Sequence, residues 1–302
     1  MISDSKIEAA RAAYLQDGAA VLRDVISTQW IDRLGVAMDE LRNDGAAGIH
    51  VVPSARGGAF WGGLFNSLRV PEFAAFVRET DLAEIAGRVL EASTVRFFYD
   101  QTLVKEPGTS SRTSWHQDLS YWPVVGEQII SLWVPIDPAT PETGVVTYVR
   151  GSHKWNQMFV AQPFSDDEGD DESIFSQLEL PKNDAGETIY ASQALISELR
   201  TSPEKFDLIT WDVEPGDVII HHPLVVHGAP SNKSATQRRR ALATRWLGDD
   251  VRWDDTRPNF LREIGKMPYF EQFNMPDLNN GDLVNDPLFP VLWGQDSQSN
   301  AA

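Results

Sequence analysis

The second half of the chain consists of short apolar segments separated by proline and glycine, and this pattern restricts the fold more than any other feature. Five such segments begin at residue 94; in order they are TVRFFYDQTLVKEPG, QIISLWVPI, GVVTYVRGS, GDVIIHHPLVV and RALATRWLGDD. Many short strands with this punctuation are typical of β-sandwiches and barrels. The sequence therefore predicts a mainly β core.

The N-terminal part has helical periodicity instead. Ile7, Ala10 and Tyr14 recur at helical spacing, and Gly18 can end that helix. The segment AAVLRDVI then predicts a short strand, Ser27 is a suitable N-cap for a helix over TQWIDRLGVAMDELRNDG, and DLAEIAGRVLEAS predicts a third helix. Helices that precede the strands predict a layer covering a sheet. A double-stranded β-helix, the jelly roll of cupins, fits this combination best.

Domain organisation follows from the same segments. The chain has no internal repeat and no interdomain linker, so we predict one domain over residues 1–302. It comprises a helical layer (about 1–93), a jelly-roll core (about 94–250) and an irregular tail (about 251–302). The core contains a long irregular insert, about 155–207, with the acidic run DDEGDDE. Such a run is usually a solvated loop, but a long insert in a compact domain is often a lid.

Composition excludes several classes of function. The 302 residues include no cysteine, which excludes disulfides, thiolate catalysis and cysteine-ligated metal sites. A formal net charge of −18 disfavours nucleic acid and anionic membranes as partners. The N-terminus lacks the basic and apolar regions of a signal peptide, and no stretch approaches the roughly 20 apolar residues of a membrane span. We therefore expect a soluble, cytoplasmic protein.

The segment SWHQDLSYW places a histidine and an aspartate two residues apart. If the segment is a strand, His116 and Asp118 point to the same side and Gln117 points away. They then either form an ion pair, at the surface or buried, or bind one metal ion. In the latter case a second histidine would complete a 2-His-1-carboxylate triad, which leaves three coordination positions open. The short motif alone does not decide between these interpretations.

Five further histidines are candidates for the third ligand. His50 lies in a predicted loop region, and His153 in RGSHKW is typical of a turn. His221 and His222 are consecutive in a predicted strand and must face opposite sides. His227 follows that strand and precedes a glycine, which permits close approach of the backbone. Spacing alone leaves the last three candidates open.

An arginine cluster, QRRRALATRW, begins the last predicted strand. The planar guanidinium suits a carboxylate, and an enzyme that uses a dicarboxylate needs one inward arginine. Two of the three arginines are expected to pair with surface carboxylates such as Asp249 and Asp250.

The sequence resembles the phytanoyl-CoA dioxygenase family of iron(II)- and 2-oxoglutarate-dependent oxygenases. The resemblance rests on WHQDLSYWP, LWVPIDPATPETGVVTYVRGSHKW and EPGDVIIHHPLVVHGAPSNKS followed by RRALATRW, together with the N-terminal YLQDGAAVLRDVIS. It implies a jelly-roll dioxygenase whose Fe(II) is held by His116, Asp118 and His227, with 2-oxoglutarate and O2 as co-substrates. The products would be a hydroxylated substrate, succinate and CO2.

The resemblance also implies which residues contact 2-oxoglutarate. The family's arginine falls on Arg239 if the strand is matched, and on Arg238 if residues are counted from the distal histidine. A one-residue slip in a strand reverses every side chain, whereas a loop absorbs an insertion, so we predict Arg239. Gln117 and Trp133 match positions that contact the co-substrate, and Gln101 occupies a strand position facing the site.

Other features bear on reaction type and substrate. Related iron halogenases have Ala or Gly in place of the carboxylate, so Asp118 favours hydroxylation. Ala229 replaces a serine that helps to hold the co-substrate in many members. Trp115, Tyr121 and Trp122 are candidates for either the substrate pocket or the core. The net charge disfavours acyl-CoA, so we expect a small organic acid, an amine or a natural-product-like molecule. The alternatives are a non-oxidative cupin-like metal-binding protein or isomerase with the same ligands, and a structural jelly roll without metal.

Overall fold

The computed structural model describes residues 2–43, 49–52, 54, 57–159, 190–257, 259–265 and 273–294. The helices in these ranges are α1 (Asp4–Asp17), α2 (Thr28–Asn43), α3 (Pro71–Glu79), α4 (Leu82–Leu90), α5 (Ala194–Thr201) and α6 (Phe260–Ile264). The strands are β1 (Ala19–Leu22), β2 (Ile49–Val52), β3 (Phe60–Leu64), β4 (Thr94–Lys105), β5 (Thr113–His116), β6 (Val124–Val125), β7 (Ile129–Pro135), β8 (Thr147–Val149), β9 (Leu208–Ile209), β10 (Val218–His221), β11 (His227–Ala229), β12 (Arg239–Leu247), β13 (Arg252–Trp253) and β14 (Val291–Gly294).

Two antiparallel sheets face each other. The larger sheet has the strand order β1-β10-β7-β12-β4-β3-β2, with β14 also paired to β4. The smaller sheet has the order β5-β11-β8-β9, and β13 pairs separately with β6. The order is non-sequential because successive strands cross between the sheets. This is the jelly roll that the segments after residue 94 predict.

Strand β7 shows how the larger sheet is covered on both faces. All seven of its residues are buried. Ile130, Leu132 and Val134 join the core formed with the helices, whereas Trp133 joins the core between the two sheets. Ser131 also points inward. Alternation with a period of two therefore directs successive residues of this apolar segment to opposite faces of the sheet, and both faces are buried.

The predicted N-terminal helices are confirmed together with their ends. In α1, Ser3 accepts a hydrogen bond from the N–H of Lys6, and Gly18 ends the helix with φ of 87°. Ser27 Oγ accepts a hydrogen bond from the N–H of Trp30 at the start of α2. Helices α1 to α4 pack on the outer face of the larger sheet through one continuous core. None of the described helices is long and apolar enough to cross a membrane.

Three of the predicted regions contain elements that the sequence did not predict. The N-terminal layer also contributes α3 and the strands β2 and β3, so His50 lies in a strand and not in a loop. The tail contributes β14, which pairs with β4, and the insert contains α5. Strands at a sheet edge depend on the partner's main-chain groups more than on their own sequence pattern. The rest of the insert, 160–189 with its acidic run, lies outside the described residues, and so does the part of the predicted lid that it contains.

Candidate active site

Two strands of the smaller sheet bring His116 and His227 side by side. His116 ends β5, His227 begins β11, and the two are paired in register. Their ring centroids are 4.2 Å apart. Asp118 begins a short 3-10 helix and so lies beyond the strand that the sequence predicted for it. The intervening Gln117 is extended, with φ of −116° and ψ of 131°, and this keeps His116 and Asp118 on the same side.

The three side chains converge on one point. Nε2 of His116 lies 3.5 Å from Oδ1 of Asp118, and Nε2 of His227 lies 3.7 Å from the same oxygen. One ligand atom from each residue lies within 4.8 Å of the others, and all three residues are buried. Two nitrogen donors and one oxygen donor in this arrangement suit a divalent transition metal such as iron(II).

Hydrogen bonds set the tautomers of both histidines. Nδ1 of His116 lies 2.7 Å from the carbonyl oxygen of Ser114, and Nδ1 of His227 lies 3.0 Å from that of Val225. A carbonyl only accepts, so in the neutral ring each Nδ1 carries the proton and each Nε2 keeps its lone pair toward Asp118. Burial, together with the nearby His116, holds the pKa of His227 well below its usual value. His227 is therefore neutral at neutral pH and able to bind a metal.

The second oxygen of Asp118, Oδ2, accepts hydrogen bonds from other side chains of the protein. Oδ2 accepts hydrogen bonds from the hydroxyl of Ser131 at 2.7 Å and from Nε2 of His221 at 3.1 Å. Nε of Arg245 lies 3.9 Å from the same oxygen. Burial raises the pKa of Asp118, but the charge of Arg245, the nearby His116 ring and the hydrogen bond from His221 outweigh it and hold the pKa well below its usual value. The carboxylate is therefore ionised, with Oδ1 facing the two histidines.

His221 ends β10, and the next residue, His222, faces the opposite side, as their spacing predicts. His221 points between the sheets toward Asp118 but is not one of the three converging residues. His222 points toward the helical layer, where its ring lies 5.4 Å from Tyr14 and 5.0 Å from His153. Neither His222 nor His153 contacts the three converging residues, His116, Asp118 and His227, which we call the trio.

The register of β12 separates the three arginines. Arg238 pairs with Asp39 at 2.7 Å, and Arg240 pairs with Asp137 at 2.7 Å. Arg239 points the other way, into the interior, and is only 2% exposed. The choice of strand context over residue count therefore places the inward arginine at Arg239.

The partners suggested for the two outward arginines were wrong. Asp249 accepts hydrogen bonds from the backbone N–H groups of Ser93 and Thr94, and Asp250 accepts them from residues 127 and 128. Both carboxylates hold turns at the end of the sheet. Asp249 and Asp250 are close to the arginines in sequence but not in space, because they lie just past the end of β12 and the arginines lie at its start.

Buried donors beside Arg239 have no acceptor among the described residues. Arg239 donates from one terminal nitrogen to the carbonyl of Leu103 at 2.8 Å, whereas its Nε and the Nε1 of Trp133 have no hydrogen-bond partner there. The guanidinium carbon lies 5.7 Å from the centroid of the Trp133 ring. Burial lowers the pKa of Arg239 to about 10, so it is charged at neutral pH. A buried cation with unused N–H groups fits a carboxylate ligand, and the small Ala241 and Ala243 on the same face leave space for it.

The side chain of Gln117 is engaged with the backbone. Its Nε2 donates to the carbonyls of Gln157 at 3.0 Å and Leu224 at 2.8 Å. Its Oε1 accepts from the N–H of Phe159 at 2.9 Å. Both donors are therefore used in joining three segments next to the trio, and a direct contact of Gln117 with the co-substrate stays a prediction.

The side chain of Gln101 is held by Arg245, a residue that the sequence reasoning missed, and a direct contact of Gln101 with the co-substrate stays a prediction. Its Oε1 accepts a hydrogen bond from Arg245 at 3.0 Å, and the Arg245 guanidinium lies 4.8 Å from the centroid of the Tyr99 ring. Arg245, Ser131 and His221 were not identified as neighbours of Asp118. The sequence did contain a signal for them, because each is a polar residue in an otherwise apolar strand. A buried polar residue needs a hydrogen-bond partner, so each of them was a candidate to contact another buried polar group.

The aromatic residues around the motif divide between site and core. The Tyr121 ring packs edge-on against His116 at 5.6 Å between centroids and is partly buried. Trp122 is in the core, where its Nε1 donates to the Tyr99 hydroxyl at 2.8 Å. Trp115 packs against a separate small core. Of the three candidates, only Tyr121 contacts the trio.

Comparison with known proteins gives one family. Residues 14–241, well over half of the chain, match the family model described as phytanoyl-CoA dioxygenase. A probable phytanoyl-CoA dioxygenase of Caenorhabditis elegans is 25% identical over 143 residues, which span 47% of this chain and 38% of that protein. The multifunctional dioxygenase prhA of Penicillium brasilianum is 24% identical over 262 residues, which span 80% of this chain and 72% of that protein.

A solved structure has the same fold. The non-heme alpha-ketoglutarate-dependent epimerase SnoN from nogalamycin biosynthesis superposes with a TM-score of 0.69 at 18% identity, over 97% of this chain and 98% of that one. The superposition extends over both sheets and the helical layer of the described residues. At this identity it bears on the fold alone.

Proposed function

The chain belongs to the phytanoyl-CoA dioxygenase family of iron(II)- and 2-oxoglutarate-dependent oxygenases, and on this premise we propose that it hydroxylates a small organic molecule. One oxygen atom of O2 would enter the substrate as a hydroxyl group, and the other would enter succinate, which is formed from 2-oxoglutarate with release of CO2. The observation that carries the proposal is the buried trio of His116, Asp118 and His227 with its lone pairs directed at one point.

His116, Asp118 and His227 would hold the iron, which supplies the activation of O2 and of the 2-oxo acid when it is bound. The protein's own contribution is orientation. The carbonyls of Ser114 and Val225 hold the histidine rings, and the donors to Oδ2 hold the carboxylate ionised. Neither His227 nor Asp118 needs to change its protonation state to bind the metal at neutral pH, because His227 is neutral and Asp118 is charged.

Arg239 and Trp133 would bind the carboxylate of 2-oxoglutarate that lies away from the metal. Support comes from the unused Nε of Arg239 and Nε1 of Trp133, which point into the interior from adjacent strands. Their burial strengthens a charge-assisted hydrogen bond, because water does not compete for the donors. Gln101, held by Arg245, faces the same interior and would contact the co-substrate or the substrate.

The substrate would be a small organic molecule with an apolar part. Tyr121 lies at the edge of His116, and the aromatic core of Phe65, Tyr99 and Phe260 continues from the Arg245 side. Apolar walls with a few polar groups are usual for such sites. The net charge of −18 opposes a polyanionic acyl-CoA. SnoN has been solved with Fe3+, alpha-ketoglutarate and nogalamycin RO, which is a precedent for a natural-product ligand on this fold.

The decisive experiment measures succinate. The protein is loaded anaerobically with Fe(II), and 2-oxoglutarate, O2 and a library of organic acids, amines and natural products are added. We expect succinate release above the substrate-free level with at least one compound and none with Asp118→Ala. Zn(II) or another ion bound by the parent protein without any turnover of 2-oxoglutarate would instead support the non-oxidative alternative.

A further inference from the structure

The two oxygens of Asp118 have different surroundings. Oδ1 faces the Nε2 atoms of His116 and His227, which carry lone pairs. Among the described residues, Oδ2 faces donors: the hydroxyl of Ser131 at 2.7 Å and Nε2 of His221 at 3.1 Å, with the Arg245 guanidinium at 3.9 Å. Oδ1 is therefore directed at the proposed metal position, whereas Oδ2 is hydrogen-bonded to the protein.

His221 is itself held in place. The Tyr148 hydroxyl lies 3.2 Å from Nδ1 of His221, and both side chains are buried. A carboxylate oxygen only accepts, so Nε2 of the neutral ring carries the proton and Nδ1 accepts from Tyr148. Tyr148 comes from β8 of the smaller sheet and His221 from β10 of the larger sheet. The chain Tyr148–His221–Asp118 thus crosses the space between the sheets behind the trio.

We propose that His221 is a positioning residue that limits Asp118 to binding the metal through Oδ1 alone. A carboxylate can bind a metal through one oxygen or through both. Two-oxygen binding would occupy one of the three positions that the triad leaves open, and the co-substrate and O2 need all three. By holding Oδ2 together with Ser131, His221 keeps these positions available. The inference rests on the proposed iron site and is independent of the substrate.

Co(II) binding tests the inference, since the bound ion has visible absorption that reports its ligands. We expect His221→Phe to weaken Co(II) binding about 10- to 100-fold, the usual effect of removing a partner of a metal ligand, and to change the absorption spectrum. His221→Gln keeps an N–H donor at a similar distance and should restore both properties. His222→Phe is the matched control, because the neighbouring histidine faces the opposite side and makes no contact with Asp118. It should bind Co(II) like the parent.

Each outcome decides the matter. Parent-like affinity and spectrum in His221→Phe would show that the contact is only packing. Complete loss of binding, as in His227→Ala and without rescue by glutamine, would show that His221 is a ligand. If metal-free His221→Phe does not fold, Tyr148→Phe replaces it. Loss of that single hydrogen bond should weaken Co(II) binding roughly 2- to 10-fold, and parent affinity would overturn the inference. A parent protein that binds no Co(II) would instead refute the proposed function.

Discussion

The two histidines proposed as metal ligands, His116 and His227, make the same local hydrogen bond. Each donates its Nδ1–H to the carbonyl two residues earlier in the chain, Ser114 for His116 and Val225 for His227. The tautomer needed for metal binding is thus a local property of each segment. The pairing of the two segments in register then brings the two Nε2 atoms together.

At this scale the first prediction concerns metal binding. His116→Ala or His227→Ala should abolish tight Fe(II) binding, because two ligands rarely hold a ferrous ion. His153→Ala should bind Fe(II) like the parent, since His153 lies in a 3-10 helix that packs against α1, where it contacts Leu15 and His222. Anaerobic titration with Fe(II) measures the difference. Parent-like binding by His227→Ala together with loss of binding in His222→Ala would contradict this ligand set.

At the scale of elements, strand alternation and the junctions between elements control the site. At the start of β12, Arg238 just before the strand pairs with Asp39 of α2, and Arg240 pairs with Asp137. The inward Arg239 between them lies opposite Lys105 in β4. The three consecutive arginines therefore differ in role: Arg238 and Arg240 form ion pairs on the outside of the sheet, and Arg239 is buried in the interior.

The second prediction follows from that alternation. Arg239→Ala should raise the 2-oxoglutarate concentration needed for half-maximal rate by roughly 30-fold or more, since losing a buried charge-assisted pair costs on the order of 2–5 kcal/mol. Arg238→Ala is the matched control and should change this requirement only slightly, because its partner is the half-exposed Asp39. Steady-state kinetics with varied 2-oxoglutarate gives both values. The opposite ranking would show that the residue count from His227 was the better guide.

The third prediction concerns the junction between α1 and β1. Gly18 has φ of 87°, and a Cβ there would lie 2.6 Å from Nδ1 of His153 and 2.8 Å from a methyl carbon of Val225. Gly18→Ala should therefore lower the free energy of unfolding by about 2–4 kcal/mol, from the left-handed backbone and the overlap together. Gly281 has φ of 90° but open space around its Cα, so Gly281→Ala should cost only about 1–2 kcal/mol. Urea denaturation compares them, and equal losses would exclude the overlap as a cause.

At the scale of the whole molecule, the helical layer is joined to the sheet by a polar contact beside the apolar core. The Tyr14 hydroxyl of α1 donates to the carbonyl of Ile129 in β7 at 2.8 Å. His222 lies between Tyr14 and His153, and its Nδ1 accepts from the N–H of Leu224 at 3.0 Å. Burial, with His153 and His221 nearby, lowers the pKa of His222 from 6.5 to about 3.

The fourth prediction is a dependence of stability on pH. Between pH 6.5 and about 3 the unfolded chain takes up a proton at His222 that the folded protein does not. The free energy of unfolding should therefore fall as the pH falls through this range, by at most about 1.4 kcal/mol per pH unit from this residue. Partial exposure of the ring makes the real slope smaller. His222→Phe should have a shallower loss of stability than the parent in urea denaturation from pH 7 to pH 4. Parallel curves would show that His222 does not contribute.

The sequence by itself determined the two-layer plan and the three residues proposed to bind the metal. Apolar periodicity depends on near neighbours, so it predicts β4, β7, β10 and β12 and the helices α1, α2 and α4, which the structure contains. The order of motifs in the chain identifies the family, and through it the trio and the inward arginine. Alternation along a strand was sufficient to separate Arg239 from Arg238 and Arg240, and His221 from His222, because alternation is local.

Only the tertiary structure decided what surrounds those residues. His221 and Asp118 are 103 positions apart in the chain, and Ser131 is 13 positions from Asp118. No local pattern contains such a contact, so the sequence could not show which oxygen of Asp118 is held or that Gln117 is engaged with the backbone. The same holds for β14, which becomes a strand by pairing with β4 almost 200 residues earlier. Local periodicity selects the elements, whereas the partners of a buried polar group depend on which distant strands the fold brings beside it.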